Sequence, residues 1–119
     1  MSISFLPNGN STVIAANTTS GAARVAITQA GGTQIGAFMI DNLDTGNAVI
    51  VNFGYANTIT ATVATGVSTG QGFAVPGAST KYINLDQGTQ VTPNTTIYAV
   101  ANAVSGTATV NITPVYIYR

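Results

Sequence analysis

The chain has 119 residues, enough for one domain whose core buries roughly two-thirds of the unfolded surface. Apolar residues make up 45% and charged residues only 5%, against about 25% in an ordinary soluble domain, and three basic and three acidic side chains cancel. That balance leaves no electrostatic footprint for DNA or RNA, and no apolar run is long enough to cross a bilayer, so neither nucleic acid nor membrane is expected as a partner.

Residues 2–6 (SISFL) alternate weakly and stop at Pro7, and Asn8-Gly9-Asn10 is a turn signal. Residues 1–10 read either as an N-terminal arm lying on a neighbour or as an ordinary edge strand or frayed end of a single domain spanning 1–119. Residues 12–15 form a short strand candidate, and 17–22 (NTTSGA) a loop. In residues 23–28, Ala23, Val25 and Ile27 alternate with Arg24, Ala26 and Thr28. A short helix over 20–29 competes there, because Ala22, Ala23 and Ala26 favour helix. The β-branched residues and the following Gly31-Gly32 favour a strand.

Residues 35–55 (IGAFMIDNLDTGNAVIVNFGY) organise the chain. Two apolar runs, 37–40 and 48–51, flank an Asp/Asn/Gly cluster, which predicts a β-hairpin. Apolar groups on both faces of the second run predict a strand covered on both sides. Residues 58–64 (TITATVA) put Ile59, Ala61 and Val63 on one face and predict a further strand. Residues 65–72 read as a loop, 73–75 as a brief strand ending at Pro76-Gly77, and 81–85 as an alternating strand. Asp86-Gln87-Gly88 and Thr92-Pro93-Asn94 are turn signals. Residues 97–101 (IYAVA) read as a buried strand, and Ser105-Gly106 turns the chain into 107–113 (TATVNIT). Here Ala108, Val110 and Ile112 are predicted to face in, and Thr107, Thr109, Asn111 and Thr113 out. Pro114 removes a ladder donor, which argues for an edge or a bulge before the last strand. The whole reads as all-β: an antiparallel β-sandwich or jelly-roll-like barrel of about nine or ten short strands.

Histidine and cysteine are absent. The commonest general base, the thiol nucleophile and the usual N/S ligands of zinc and copper are therefore missing, and an enzyme is not expected. No catalytic, cofactor-binding or metal-binding residue is assigned. Asp41 and Asp44 are the one close carboxylate pair, but their segment lacks the regular calcium-loop spacing, and Asp, Asn and Gly there serve a turn equally well. The glycines form no phosphate loop. No basic segment followed by an apolar stretch opens the chain, so no secretory signal is expected. Tyr55, Tyr82, Tyr98, Tyr116 and Tyr118 could build a sugar platform or pack at an interface. Tyr116 and Tyr118 share strand parity, and with Phe5, Arg24 and Lys81 they are the interface candidates.

The layout resembles small accessory structural proteins of tailed bacteriophages. The resemblance is carried by the MSISFLPN start, the Ala23-Arg24-Val25-Ala26 strand, the Val51-Asn52-Phe53-Gly54 segment, the Val75-Pro76-Gly77 turn and the closing IYAVANAVSGTATVNI. It implies a capsid decoration, or cement, protein: β-rich, homotrimeric, and seated on the outer capsid surface at contacts between major capsid subunits. Synthesis in the host cytoplasm and localisation to the virion follow from the same resemblance, and no site residue is carried over. A surface of Thr, Ser, Asn and Gln suits that role, since hydroxyls and amides cost less to desolvate than ions. A binding module of a phage fibre or tail, recognising a receptor or a carbohydrate, is the competing expectation. A neutral extracellular or extremophile domain is the plainest one.

Overall fold

The computed structural model describes residues 4–7, 11–19, 24–27, 35–61, 72–84 and 96–118, with the side chains of 4–7 and 116–118 outside that description. Among the described residues there is no helix; the strands are β1 (Ser4–Pro7), β2 (Thr12–Ala16), β3 (Arg24–Ile27), β4 (Ala37–Asn42), β5 (Val49–Gly54), β6 (Phe73–Val75), β7 (Thr80–Asn84), β8 (Ile97–Ala103) and β9 (Ala108–Tyr118). The helix competing for 20–29 yields to β3 over its described part, as the β-branched Val25 and Ile27 require of a half-buried pleat. The turn signals at 8–10, 86–88 and 92–94 lie outside the described residues, as does the 65–72 loop apart from Gly72.

The strands form two antiparallel sheets. Sheet I runs β1-β9-β4-β7, with β2 also on β9. Its registers set β2 against Ala108–Ile112 and β1 against Val115–Tyr118, so the two short strands lie end to end along one edge of β9. Sheet II runs β3-β8-β5-β6. The pairs β5–β6, β4–β7, β3–β8 and β2–β9 nest one inside the next along the chain.

Pro114 sits in the notch between β2 and β1. Leu43 N donates to Thr109 O at 2.9 Å, so the odd-numbered residues of β9 turn their backbone groups to β4 and the even-numbered ones to the β2/β1 edge. The donor that Pro114 lacks would fall after the last β2 pair, Thr12 with Ile112, and before the first β1 pair, Pro7 with Val115. The ladder breaks beside a proline while β9 itself continues.

The core lies between the sheets. Ile14, Phe38, Ile40, Val110 and Ile112 face Ile27, Val49, Val51, Val75, Ala99 and Ala101. Of the alternation predicted for 107–113, Ala108, Val110 and Ile112 are buried in this core and Thr107 and Thr109 are exposed, but Thr113 is buried as well. Phe38 and Phe53 stack across it, with ring centroids 4.3 Å apart and planes 15° apart.

The central hairpin predicted for 35–55 is not a hairpin. β4 pairs with β7 and β9, β5 with β6 and β8, and residues 43–48 carry the chain from one sheet to the other. The runs oppose each other through the core, as the Phe38–Phe53 stack requires, instead of lying side by side. The polar cluster between them builds an arch. Asn42, 3% exposed, donates its amide to Asn47 O (2.7 Å), Val75 O (3.1 Å) and Pro76 O (3.2 Å), while its Oδ1 accepts from Asp44 N (3.1 Å). One side chain at the end of β4 thus satisfies carbonyls of the arch and of the segment leaving β6. Asp44 Oδ1 accepts from Gly46 N and Asn47 N, both at 2.8 Å, closing the turn.

Two further crossings lie against this arch. Ala78 N donates to Asp44 O (2.7 Å) in the β6–β7 connection, where Gly77 passes so close that a Cβ would meet Thr45 O at 3.0 Å. In the β8–β9 connection, Val104 N donates to Ala48 O (3.0 Å), Ser105 Oγ to Asn47 Oδ1 (2.9 Å) and Asn47 Nδ2 to Thr107 O (3.0 Å). Gly106 takes φ of 62°, which suits the glycine in that turn. Asn17 O accepts from Ala103 N at 2.7 Å, bringing the start of the β2–β3 connection to the same end.

Candidate interaction surface

The outer faces of the two sheets each have an open part and a buried part. On sheet I the residues between the core positions are Val13 and Ala15 of β2, Thr109, Asn111 and Thr113 of β9, Met39 and Asp41 of β4, and Thr80 and Tyr82 of β7. Val13 is 58% exposed and Tyr82 49%, and Thr109 and Thr80 are exposed. Asp41, the sole charge on this face among the described residues, accepts a hydrogen bond from Thr80 Oγ1 at 2.5 Å. Asn111 Oδ1 is buried and has no hydrogen-bond partner. Toward the far end Ala37, Thr113 and Val115 are buried. The open part is thus a strip of hydroxyl, amide and isolated apolar groups with almost no net charge.

On sheet II the matching positions are Arg24 and Ala26 of β3, Tyr98, Val100 and Asn102 of β8, and Ile50, Asn52 and Gly54 of β5. Residues 58–61 lie over the part of this face built by β5 and β8, while Arg24 and Ala26 of β3 stay exposed. Arg24 donates from Nε to Ile59 O (2.6 Å) and from Nη2 to Thr58 O (3.4 Å). Asn52 Nδ2 donates to Thr60 O (2.9 Å) and Asn102 Nδ2 to Ala61 O (3.2 Å). Val100 and Ala61 are fully buried as a result. β5 is therefore covered on both sides, but the cover is not the strand predicted over 58–64: residues 58–61 belong to no strand, and 62–64 lie outside the described residues.

Of the interface candidates, Arg24 is committed within the chain to the carbonyls of 58 and 59. Lys81 is exposed on β7 at the edge of sheet I, where its register partner Ile40 puts it on the core-side face. An inward-set lysine on an edge strand is a common guard against strand-to-strand aggregation. Register sets Phe5 opposite Ile117, and Tyr116 and Tyr118 opposite Leu6 and Ser4; their side chains lie outside the described residues. Of the two candidates whose side chains are described, Arg24 lies on sheet II and Lys81 on sheet I. The described tyrosines do not make one platform. Tyr82 is on sheet I, half-buried Tyr98 on sheet II, and Tyr55, 68% exposed, follows β5.

The residues missed as key positions are asparagines: Asn42, Asn52 and Asn102, each fastening a segment that is not its ladder neighbour. Their signal was an amide set within apolar runs, as in IVNFG and AVANAV, where a buried amide must find partners. The carboxylates of Asp41 and Asp44 turn to separate partners, and among the described residues no three potential ligands gather around a metal position. Set against protein-family models, curated proteins and solved structures, the chain gives no match to any of them.

Proposed function

We propose that this chain is a virion structural protein, a capsid decoration or cement protein that binds the assembled phage head and stabilises contacts between its major capsid subunits. The observation that carries the reading is the outer face of sheet I, an open strand-built surface with one charge already hydrogen-bonded. Covering such a surface strands few ions, so association loses little to desolvation. A ligand that binds only the assembled shell stabilises it by mass action, and repetition over a symmetric shell adds avidity. In this reading the free form is a homotrimer, the working location is the outer capsid surface, and no catalytic step is involved.

The same proposal takes the fold, more finely, as a jelly roll. The nested pairs β5–β6, β4–β7, β3–β8 and β2–β9 are those of one long hairpin rolled into two sheets, with β1 as an addition. Jelly rolls serve viral capsids and lectins alike, so the architecture supports the proposal without selecting it. The exposed Tyr82 and Tyr55 favour a second reading, a receptor- or carbohydrate-binding module of a fibre or tail.

Sedimentation of the purified protein with empty capsids of its own phage, followed by a heat challenge, separates the two. The first reading expects saturable binding and capsids that resist a higher temperature. Absence of capsid binding together with a specific glycan-array signal would replace it with the second.

A further inference from the structure

We infer that the outer edge of β2 is a strand-pairing site for a second copy of this chain, joined β2 to β2 across a two-fold axis. The register of sheet I decides which backbone groups are available. The even-numbered residues of β9 face the β2/β1 edge, and they stand opposite Thr12, Ile14 and Ala16. Those three residues therefore spend their N–H and C=O groups on β9, and Val13 and Ala15 turn theirs the other way. Asn17, next in the odd series, shows the same parity: its carbonyl points off β9 and accepts from Ala103 N at 2.7 Å. Among the described residues no hydrogen bond reaches the outward N–H and C=O groups of Val13 and Ala15. Both residues are exposed, Val13 at 58%. Unpaired strand groups along an open edge are a template for another strand.

The edge fits itself. Antiparallel pairing about Ile14 sets Val13 of each copy opposite Ala15 of the other. Both become hydrogen-bonded pairs, and every outward N–H and C=O of the two residues finds a partner. Residues 11–17 (STVIAAN) carry no charge, so two copies meet there without repulsion, and valine lies against alanine on the outer face of the joined sheets. The patch is the same on both copies, as a two-fold contact requires. Other edge strands suit this less: β7 carries Lys81, β3 carries Arg24, and β6 has three residues. A pair of five-residue strands buries less than the roughly 1,000 Å² of a stable interface, so the contact forms with rising concentration. It does not rest on the capsid reading; in the trimer proposed there it links one trimer to the next.

Light scattering on the full chain over about 1 µM to 1 mM, with amide hydrogen exchange at the two ends of that range, tests this. The mean mass is expected to rise about twofold or more, and the Val13 and Ala15 amides to exchange about tenfold or more slower at the high concentration. Val13→Pro removes an outward N–H and nothing from the β9 ladder, a change that edge strands accept. It should stay folded by urea unfolding and hold the mass at its low-concentration value, and Ala15→Pro should do the same. Val13→Ala keeps the backbone donor and should associate within about fivefold of the unaltered protein. A constant mass in the unaltered protein, or Val13 and Ala15 amides equally fast at both concentrations, would overturn the inference. So would folded proline variants that associate as the unaltered protein does. A Val13→Ala protein that fails to associate would make the side chain the contact and not the edge, and would overturn it too.

Discussion

The outer faces of the two sheets begin from similar ingredients and end differently. Both carry valine, asparagine and tyrosine at alternate positions of their strands. On sheet II the chain folds its own segment across them, so Val100 is buried and Asn102 spends its amide on Ala61 O. On sheet I the corresponding Val13 is left 58% exposed. Each outer face thus has a covered part and an open part: Val100 and Asn102 on sheet II and Ala37, Thr113 and Val115 on sheet I are buried, while Arg24 and Ala26, like Val13 and Thr80, are exposed. Burial of the apolar groups is favourable whether the cover is the same chain or a neighbour, and hydroxyls and amides cost less to bury than ions provided they find hydrogen-bond partners.

The contrast can be broken most sharply at the two valines. Val100→Asp places an uncompensated charge at a fully buried position of β8 and should cost about 3–5 kcal/mol in urea unfolding, the scale of an unpaired buried ion. Val13→Asp on the open face should change stability by no more than about 0.5 kcal/mol in the same assay. Asn42→Ala acts on neither face but on the join between sheets. It removes donors from three carbonyls and should cost about 2–3 kcal/mol, read as a lowered urea midpoint with an unchanged slope. A smaller effect sharpens the open face alone: Asp41→Ala loses the cross-strand bond to Thr80 and should cost about 0.2–1 kcal/mol by thermal melting. Tyr82→Ala should be smaller still in stability, within about 0.5 kcal/mol, yet weaken capsid binding in sedimentation about tenfold or more if sheet I is the docking face.

Two segments with nearly the same pattern explain how far the sequence could be read. TATVNIT and TITATVA both alternate hydroxyl and aliphatic residues. The first became the opening half of β9, flanked by β4 and β2, with Val110 and Ile112 in the core. Of the second, 58–61 belong to no strand, and 62–64 lie outside the described residues. Alternation reports which side of a segment is apolar; it does not report which edge is free to pair with it. The 35–55 stretch failed for a related reason. A short Asp/Asn/Gly linker fits a hairpin and an arch equally well, and the choice lay in long-range bonds from Asn42 to Val75 and Pro76, more than thirty residues away. The all-β class, the inward face of 107–113 and the turns at Pro76-Gly77 and Ser105-Gly106 were local matters and were legible. The surface residues were not. Arg24 carried no mark of its carbonyl partners, because nothing in residues 23–28 says that residues 58 and 59 will lie over them.

The most direct measurement of the proposed capsid role is a cryo-EM map of a phage virion proposed to carry this chain. The account predicts density for the two-sheet fold on the outside of the head, in groups of three at contacts between major capsid subunits, with the outer face of sheet I turned to the shell. Density confined to a fibre tip or tail, or heads that lack the protein altogether, would contradict it.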